Sequence, residues 1–190
     1  MMITLGVDEV GRGCWAGPLV AGAVVLGPAI EGLTDSKLLS AAKRQAYDSM
    51  IRERALAFGL GWVEAPEVDE LGLTAAVSLA MRRAVEQIEI VFDEIIIDGN
   101  YNFLAHDGRA RTIIKADLTV PAVSAASIIA KVARDNWMAE AARRYPGYGF
   151  ERHVGYGTSQ HRQALQTLGI CYLHRRSFKP IQAFARPAAS

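Results

Sequence analysis

Val7-Asp8-Glu9-Val10-Gly11-Arg12-Gly13-Cys14-Trp15-Ala16-Gly17-Pro18 joins two apolar runs, Ile3 to Val7 and Leu19 to Leu26. Two adjacent carboxylates stand at the end of the first run, and a glycine-arginine-glycine turn follows at once. Neighbouring acids repel one another unless a cation lies between them. Glycines lose more backbone freedom on folding than any other residue. A strand, an acid pair, a glycine-rich turn and a second strand make a poor device for stability alone. The stretch therefore reads as a site.

Working outward, Ile3 to Asp8 alternates as a strand, with Leu5 and Val7 on one face and Gly6 and Asp8 on the other. Leu19 to Leu26 is a second strand, rich in β-branched residues and stopped by Gly27-Pro28. Thr34-Asp35-Ser36-Lys37 is a polar loop. Ser40 caps a helix from Ala41 to Arg54, and Leu56 to Val63 is a third strand. Three strands in succession predict an antiparallel meander. Pro66 to Leu71 is a short helix broken by Gly72, and Leu73 to Ile88 is a longer amphipathic one. Glu94 to Asp98 is a buried strand ending in an acid, expected to be parallel and central. Arg111 to Ile114 is another short strand, followed by Lys115-Ala116-Asp117. Val123 to Tyr145 is helical. Ser159 caps a last helix to Leu168, with Gly169 as its C-cap. Ile170 to Ser190 reads as extended or irregular.

The 190 residues fit one domain, or one with a small appendage. No apolar run has the length of a membrane span, and the start lacks the basic region of a signal peptide. Cys14 and Cys171 show no metal-binding spacing, so a reducing cytoplasm is expected. Net charge is +1, but from Arg143 onward there are eight Lys/Arg and one acid, against thirteen and nineteen before it. That asymmetry fits a polyanionic partner or a tail packed on an acidic body. Pro146-Gly147-Tyr148-Gly149 is the clearest break. It divides residues 1–145 from a basic region, 146–190, expected to pack on the same domain.

Asp8, Asp98 and Asp117 each end or follow a predicted strand, where sites form in α/β sheets. Glu9 adds a fourth acid. Oxygen-only ligands select Mg²⁺ or Mn²⁺, and two such ions clamp an in-line displacement at phosphorus. Gly11-Arg12-Gly13 is no dinucleotide loop, because acids precede it and a strand follows where a helix N-terminus is required. It suits close approach to a sugar-phosphate chain, where a 2′-OH separates RNA from DNA. Tyr156, between glycines in the basic tail, is either a stacking residue or a core tyrosine. Lys37 is either a phosphate contact or a solvated lysine.

Val7-Asp8-Glu9-Val10-Gly11-Arg12-Gly13 resembles the signature of type 2 ribonuclease H, ribonuclease HII. Asp35-Ser36-Lys37, Ile97-Asp98-Gly99-Asn100, Lys115-Ala116-Asp117 and the helix Val123 to Asp135 match further blocks of that family. So do Tyr148-Gly149-Phe150, Gly155-Tyr156 and His174-Arg175-Arg176-Ser177-Phe178. The matches run in order from residue 3 to about 181.

The resemblance implies a ribonuclease H-like α/β fold: a mixed five-stranded sheet flanked by helices, with a small C-terminal helical region. It implies an endonuclease acting on RNA·DNA hybrids and on single ribonucleotides in duplex DNA. Such an enzyme cuts on the 5′ side and leaves a 3′-OH and a 5′-phosphate. It implies Asp8, Glu9, Asp98 and Asp117 as metal-binding acids for Mn²⁺ or Mg²⁺, and Gly11, Arg12 and Gly13 as a turn reading the 2′-OH with Tyr156. Tyr156 also stacks on the next sugar, and Lys37 contacts a phosphate. A monomer is expected. Trp15 is bulkier than the residue expected after the turn, and Gly157 stands where many members have proline. The stretch after Ile181 matches nothing in the family, and disorder is the expectation there. Two other readings are a hybrid-binding module without catalysis, against which the four intact acids argue, and a nucleotide-binding oxidoreductase built on the glycine turn.

Overall fold

The computed structural model describes residues 2–185. Five strands form one sheet in the order β3-β2-β1-β4-β5. β1 (Thr4–Val10), β2 (Leu19–Leu26) and β3 (Ala55–Val63) make the antiparallel meander. β4 (Glu94–Asp98) and β5 (Ala110–Ile113) continue it in parallel beyond β1. β4 thus lies between two partners, as its Ile95-Ile96-Ile97 run requires.

The helices follow local signals. α1 (Ala41–Arg54) starts where Ser40 Oγ accepts the Lys43 N–H at 3.3 Å. α2 (Ala65–Leu71) is opened by a reciprocal Glu64/Glu67 capping box with Pro66 in its first turn. α3 (Leu73–Val85) ends one turn before the expected Ile88. There the Gln87 side chain turns to the edge strand β3, accepting the Leu60 N–H at 3.3 Å and donating to the Leu60 carbonyl at 2.8 Å. A side-chain amide thus covers part of an exposed sheet edge. α4 (Ala116–Thr119) is a single turn carrying Asp117, and α5 (Pro121–Arg144) starts at a proline, two residues before the expected Val123.

Four further features depart from the sequence reading. Ser36–Leu38 is a 3₁₀ turn, where Asp35 accepts the Lys37 N–H at 2.8 Å. Pro146 to Gly149 is the expected break, and a one-turn helix that the sequence reading did not include, α6 (Phe150–His153), follows it. α7 (Ser159–Leu168) is capped by Thr158, whose hydroxyl accepts the His161 N–H at 3.2 Å, and not by Ser159. The segment expected to be irregular forms α8 (Lys179–Ala185). The disorder expected after Ile181 is therefore contradicted as far as Ala185, and residues 186–190 lie outside the described residues.

The alternation of β1 decides the layers. Leu5 and Val7 enter a core with β2, α2 and α3, containing Ala21, Ala23, Val68, Val77, Ala80 and Met81. The opposite face meets α5, where a core of Val24, Ile51, Ala125, Ile128 and Ile129 forms. α5 reaches β1 because residue 6 is glycine: a Cβ there would lie 2.2 Å from the Ala122 carbonyl carbon. Any side chain would drive helix and sheet apart, an overpacking that costs about 1–3 kcal/mol. The same approach encloses Asp8, the next residue on that face. A third core, with Ala16, Met138, Ala141, Tyr148, Phe150 and Leu173, joins the C-terminal part to the end of α5.

Candidate active site

β1 and β4 run parallel in register up to the pair Val7↔Ile97. One residue further along each strand stand Asp8 and Asp98, on the face that carries Gly6 and Ile96. Asp8 is only 6% exposed. Burial pushes its carboxyl well above the usual range, Glu9 and Asp98 add to the rise, and Ser127 and the Glu9 N–H pull against it. Burial likewise raises Glu9, with Arg12 opposing and Asp98 reinforcing. Burial raises Asp117 from its place on α4, helped by Asp98 and Asp35 and opposed by Lys37. Asp98 is thus the charge that perturbs each of the other three acids. Its Oδ1 accepts the Ala116 N–H at 2.7 Å, which ties the end of β4 to the start of α4.

This donor set fits a divalent cation of the Mg²⁺ or Mn²⁺ type: all oxygen, clustered, and held where ionisation is unfavourable until positive charge arrives. The side chains are not closed into a cage. Among the described residues, no three of His, Cys, Asp and Glu are grouped so that they could hold an ion as they stand. Glu9 leans to Arg12 at 3.6 Å, Asp98 to the Ala116 amide, and Asp8 Oδ1 to the Glu9 N–H at 2.8 Å. A bound ion would compete for these carboxylates.

The glycine turn beside the acids is exposed at Arg12 and Gly13 and buried at Gly11. The Arg12 guanidinium lies 5.5 Å over the Phe103 ring, which lines a groove of about 610 Å³ with Leu73, Ser78 and Tyr101. Past the turn the chain is pinned on two sides. Trp15 and Ala16 donate N–H groups to the Gly155 carbonyl at 2.8 and 3.3 Å. Gly17 donates to Leu173, and Arg175 donates back to the Trp15 carbonyl. The sugar-reading candidates Gly11, Arg12 and Gly13 and the stacking candidate Tyr156 therefore belong to directly bonded segments.

Tyr156 is 40% exposed, so it is not the core tyrosine of the alternative reading. Beneath its loop lie three buried histidines. His161 Nδ1 is 2.9 Å from the Tyr156 carbonyl, so Nδ1 carries the proton and donates it there. His161 Nε2 then accepts from His174 Nε2 at 3.1 Å, and His174 Nδ1 accepts the Cys171 N–H at 2.9 Å. The His153 ring stacks on that of His161 at 4.4 Å. Trp15 and Gly157 also meet: a Cβ on Gly157 would lie 2.2 Å from two indole carbons.

Lys37 is exposed at the mouth of the acid cluster, close enough to oppose the rise of Glu9 and Asp117. The basic tail is mostly outward: Arg143, Arg144, Arg152, Arg162, Arg176 and Lys179 are exposed, whereas Arg175 is fully buried. Four contributors escape the sequence reading. Asp35 sits among the acids, and Ser127 of α5, hydrogen-bonded to Ser36 at 3.0 Å, lies near enough to Asp8 to oppose its rise. Arg134 and Arg175 reach under the turn. The spacing of small residues along Ala122-Val123-Ser124-Ala125-Ala126-Ser127 signals close packing, but no pattern marks an arginine as turned inward.

Comparison with known proteins bears on the family and the fold. The family model described as Ribonuclease HII matches residues 5–181. The ribonuclease HII of Hyphomonas neptunium is 48% identical over 201 residues, covering 97% of this chain and 97% of its own. The crystal structure of ribonuclease H2 from Pyrococcus horikoshii OT3 superposes with a TM-score of 0.83 at 26% identity, over 96% of this chain and 97% of that one. A crystal structure of Bst ribonuclease HIII in complex with Mn²⁺ shares the fold, with a TM-score of 0.75 at 21% identity over 97% of this chain and 69% of that one. Fold and site define a metal-dependent endoribonuclease of the ribonuclease H type. Within that class, the chain belongs to the ribonuclease HII family.

Proposed function

We propose that this enzyme hydrolyses the RNA strand of RNA·DNA hybrids and nicks duplex DNA 5′ of a single embedded ribonucleotide, leaving a 3′-OH and a 5′-phosphate. It works as a cytoplasmic monomer in the removal of ribonucleotides from DNA. Asp8, Glu9, Asp98 and Asp117 hold two divalent ions, Mg²⁺ or Mn²⁺. When bound, such ions supply an activated water and stabilise charge on the phosphoryl and leaving oxygens.

The chain's own residues do the rest. Gly11 to Gly13 bring backbone groups against the ribose, where a 2′-OH both donates and accepts. Tyr156 stacks on the following sugar, and Lys37 contacts a phosphate. Residues 146–190 serve as the substrate-binding region on the catalytic part, 1–145, their exposed arginines following the backbone. The observation supporting this reading is that Asp8 and Asp98 stand side by side at the ends of the parallel strands β1 and β4, where burial, reinforced by Asp98, raises Asp8, Glu9 and Asp117. A divalent cation would offset the mutual repulsion of these acids.

The test is a duplex carrying one ribonucleotide, incubated with Mg²⁺, with Mn²⁺ and with EDTA. A nick 5′ of the ribonucleotide that EDTA abolishes is the expected result. Hybrid binding without a nick under either ion would leave a silent binding module in its place.

A further inference from the structure

Arg134 and Arg175 are both fully buried, at 0% exposure. Among the described residues neither forms an ion pair. A buried charge without a counter-ion is costly unless hydrogen bonds satisfy it. Here every bond goes to a backbone carbonyl. Arg134 donates from Nε to Pro18 at 2.8 Å, from Nη2 to Ala16 at 3.1 Å and from Nη1 to Val154 at 2.8 Å. Arg175 donates from Nε and Nη2 to Gly17 at 3.2 and 3.0 Å, and from Nη1 to Arg12 at 3.0 Å. Burial brings Arg175 down to about 10, which marks how little water reaches it.

The accepting carbonyls fall into two groups. Arg12, Ala16, Gly17 and Pro18 belong to the glycine turn and its return. Val154 belongs to the loop that presents Tyr156. Val154 has φ of 44° and ψ of 37°, the left-handed region, where a β-branched residue is an outlier. Such a conformation persists only where its surroundings over-determine it. The Val154 carbonyl is held from two sides, by Arg134 Nη1 and by the Cys14 thiol at 3.6 Å. The turn in turn is shaped around Arg134, since a Cβ on Gly11 would lie 2.3 Å from its Nε.

We propose that Arg134 is a positioning residue that locks the Gly11–Pro18 turn and the Val154–Tyr156 loop into one unit, with Arg175 fixing the far side of the turn. This rests on the functional reading above. A lone ribonucleotide needs sugar reading and tyrosine stacking at one set spacing. A continuous hybrid offers a 2′-OH at every step and also binds through exposed basic residues. Arg134 therefore governs selectivity for the lone ribonucleotide more than affinity for nucleic acid.

Arg134→Lys tests this, because an ammonium keeps the charge and loses the planar fork. In the folded variant, amide exchange should rise about tenfold or more in residues 14–17 and in 154–158 together. The kcat/KM at a lone ribonucleotide should fall about tenfold or more, and that on a continuous hybrid by less than about threefold. Exchange raised in one segment only, or equal loss on both substrates, overturns the proposal. If Arg134→Lys is too unstable to measure, the double variant with Val154→Gly replaces it. Glycine tolerates the left-handed backbone, so the double variant should regain part of the melting temperature while both segments stay exchange-labile; no recovery overturns the clamp. The exchange arm needs no catalysis. A wild-type protein that never nicks the duplex defeats the functional reading, while uncoupled exchange defeats the clamp.

Discussion

The Trp15 indole occupies the space that any side chain on residue 157 would need, 2.2 Å from an ideal Cβ on Gly157. Gly157 does not have a left-handed backbone, so its φ does not ask for glycine. The indole does. A bulky residue after the turn and a glycine after Tyr156 are therefore one packing solution. The indole also lies 5.7 Å from the His161 ring and 5.6 Å under the Arg162 guanidinium.

Gly157→Ala should destabilise the protein by about 1–3 kcal/mol through overpacking. Trp15→Ala opens the space, so the double variant should be less damaged than the two single losses predict, by about 0.5–3 kcal/mol. Urea denaturation of the four proteins measures the coupling. Strict additivity would mean that the indole moves aside freely and that the pair is no unit.

Tyr156→Ala should weaken cleavage at a lone ribonucleotide by the value of one stacking contact, about 1–3 kcal/mol. The side chain is 40% exposed, so the melting temperature should barely move. Tyr156→Phe keeps the ring and should lose much less. A large fall in melting temperature for the alanine variant would return Tyr156 to the core.

The parts of the fold written in long periodic runs were legible in the sequence. The bounds of Leu19–Leu26, Ala41–Arg54 and Glu94–Asp98 came out as expected, because β-branched runs, the Ser40 cap and flanking glycines mark them. One-turn elements did not. Phe150–His153 is too short to show a period, and it sits between two left-handed residues, Gly149 and Val154. At the site, acids at strand ends announce themselves, since a charge closing an apolar run needs a reason. Arg134 gives no such sign. On a long helix it reads as one more solvated arginine, and only the return of residues 16, 18 and 154 over it shows otherwise.

Burial holds His161 and His174 down at about 4; repulsion from His153 reinforces it at both and from His161 at His174, while hydrogen bonds to backbone carbonyls oppose it. In the unfolded chain each titrates near about 6.5. A depressed histidine keeps its full contribution above about pH 6.5; as pH falls toward 4 the unfolded state takes up protons that the folded state refuses. Stability should therefore fall from about pH 6.5 to 4, by up to about 1.4 kcal/mol per pH unit for each histidine. Asp8, Glu9 and Asp117 act in the opposite sense, because their raised carboxyls favour the folded state at low pH. Urea melts of wild type and His161→Gln between pH 7 and 5 separate the two. The variant should show the shallower loss, and equal slopes would remove the histidines from the account.

Affinity for an RNA·DNA hybrid should fall steeply with salt, with a slope near −0.9 for each phosphate neutralised on a B-form duplex and of similar order here. Replacing exposed Arg152 or Arg162 by Gln should reduce that slope by about one each. Arg175 is buried and should give no such change beyond its effect on folding. A flat salt profile would contradict a phosphate-tracking tail.

Asp98→Asn separates the cost of the acid cluster from its use. Asparagine keeps the oxygen that accepts the Ala116 N–H, so the link between β4 and α4 survives. It removes a charge that adds to the burial-driven rise of Asp8, Glu9 and Asp117. In EDTA the variant should therefore melt higher than wild type, by about 2–4 °C for about 1 kcal/mol of relieved repulsion. Mn²⁺ should raise the melting temperature of wild type and reverse the order, because an ion that binds only the folded state stabilises it by mass action. Cleavage should be lost with either ion, while hybrid affinity in EDTA stays near wild type, since no phosphate contact has been touched. Near wild-type cleavage by Asp98→Asn would move the site elsewhere. A lower melting temperature in EDTA would mean that Asp98 supports the fold more than its neighbours resist it.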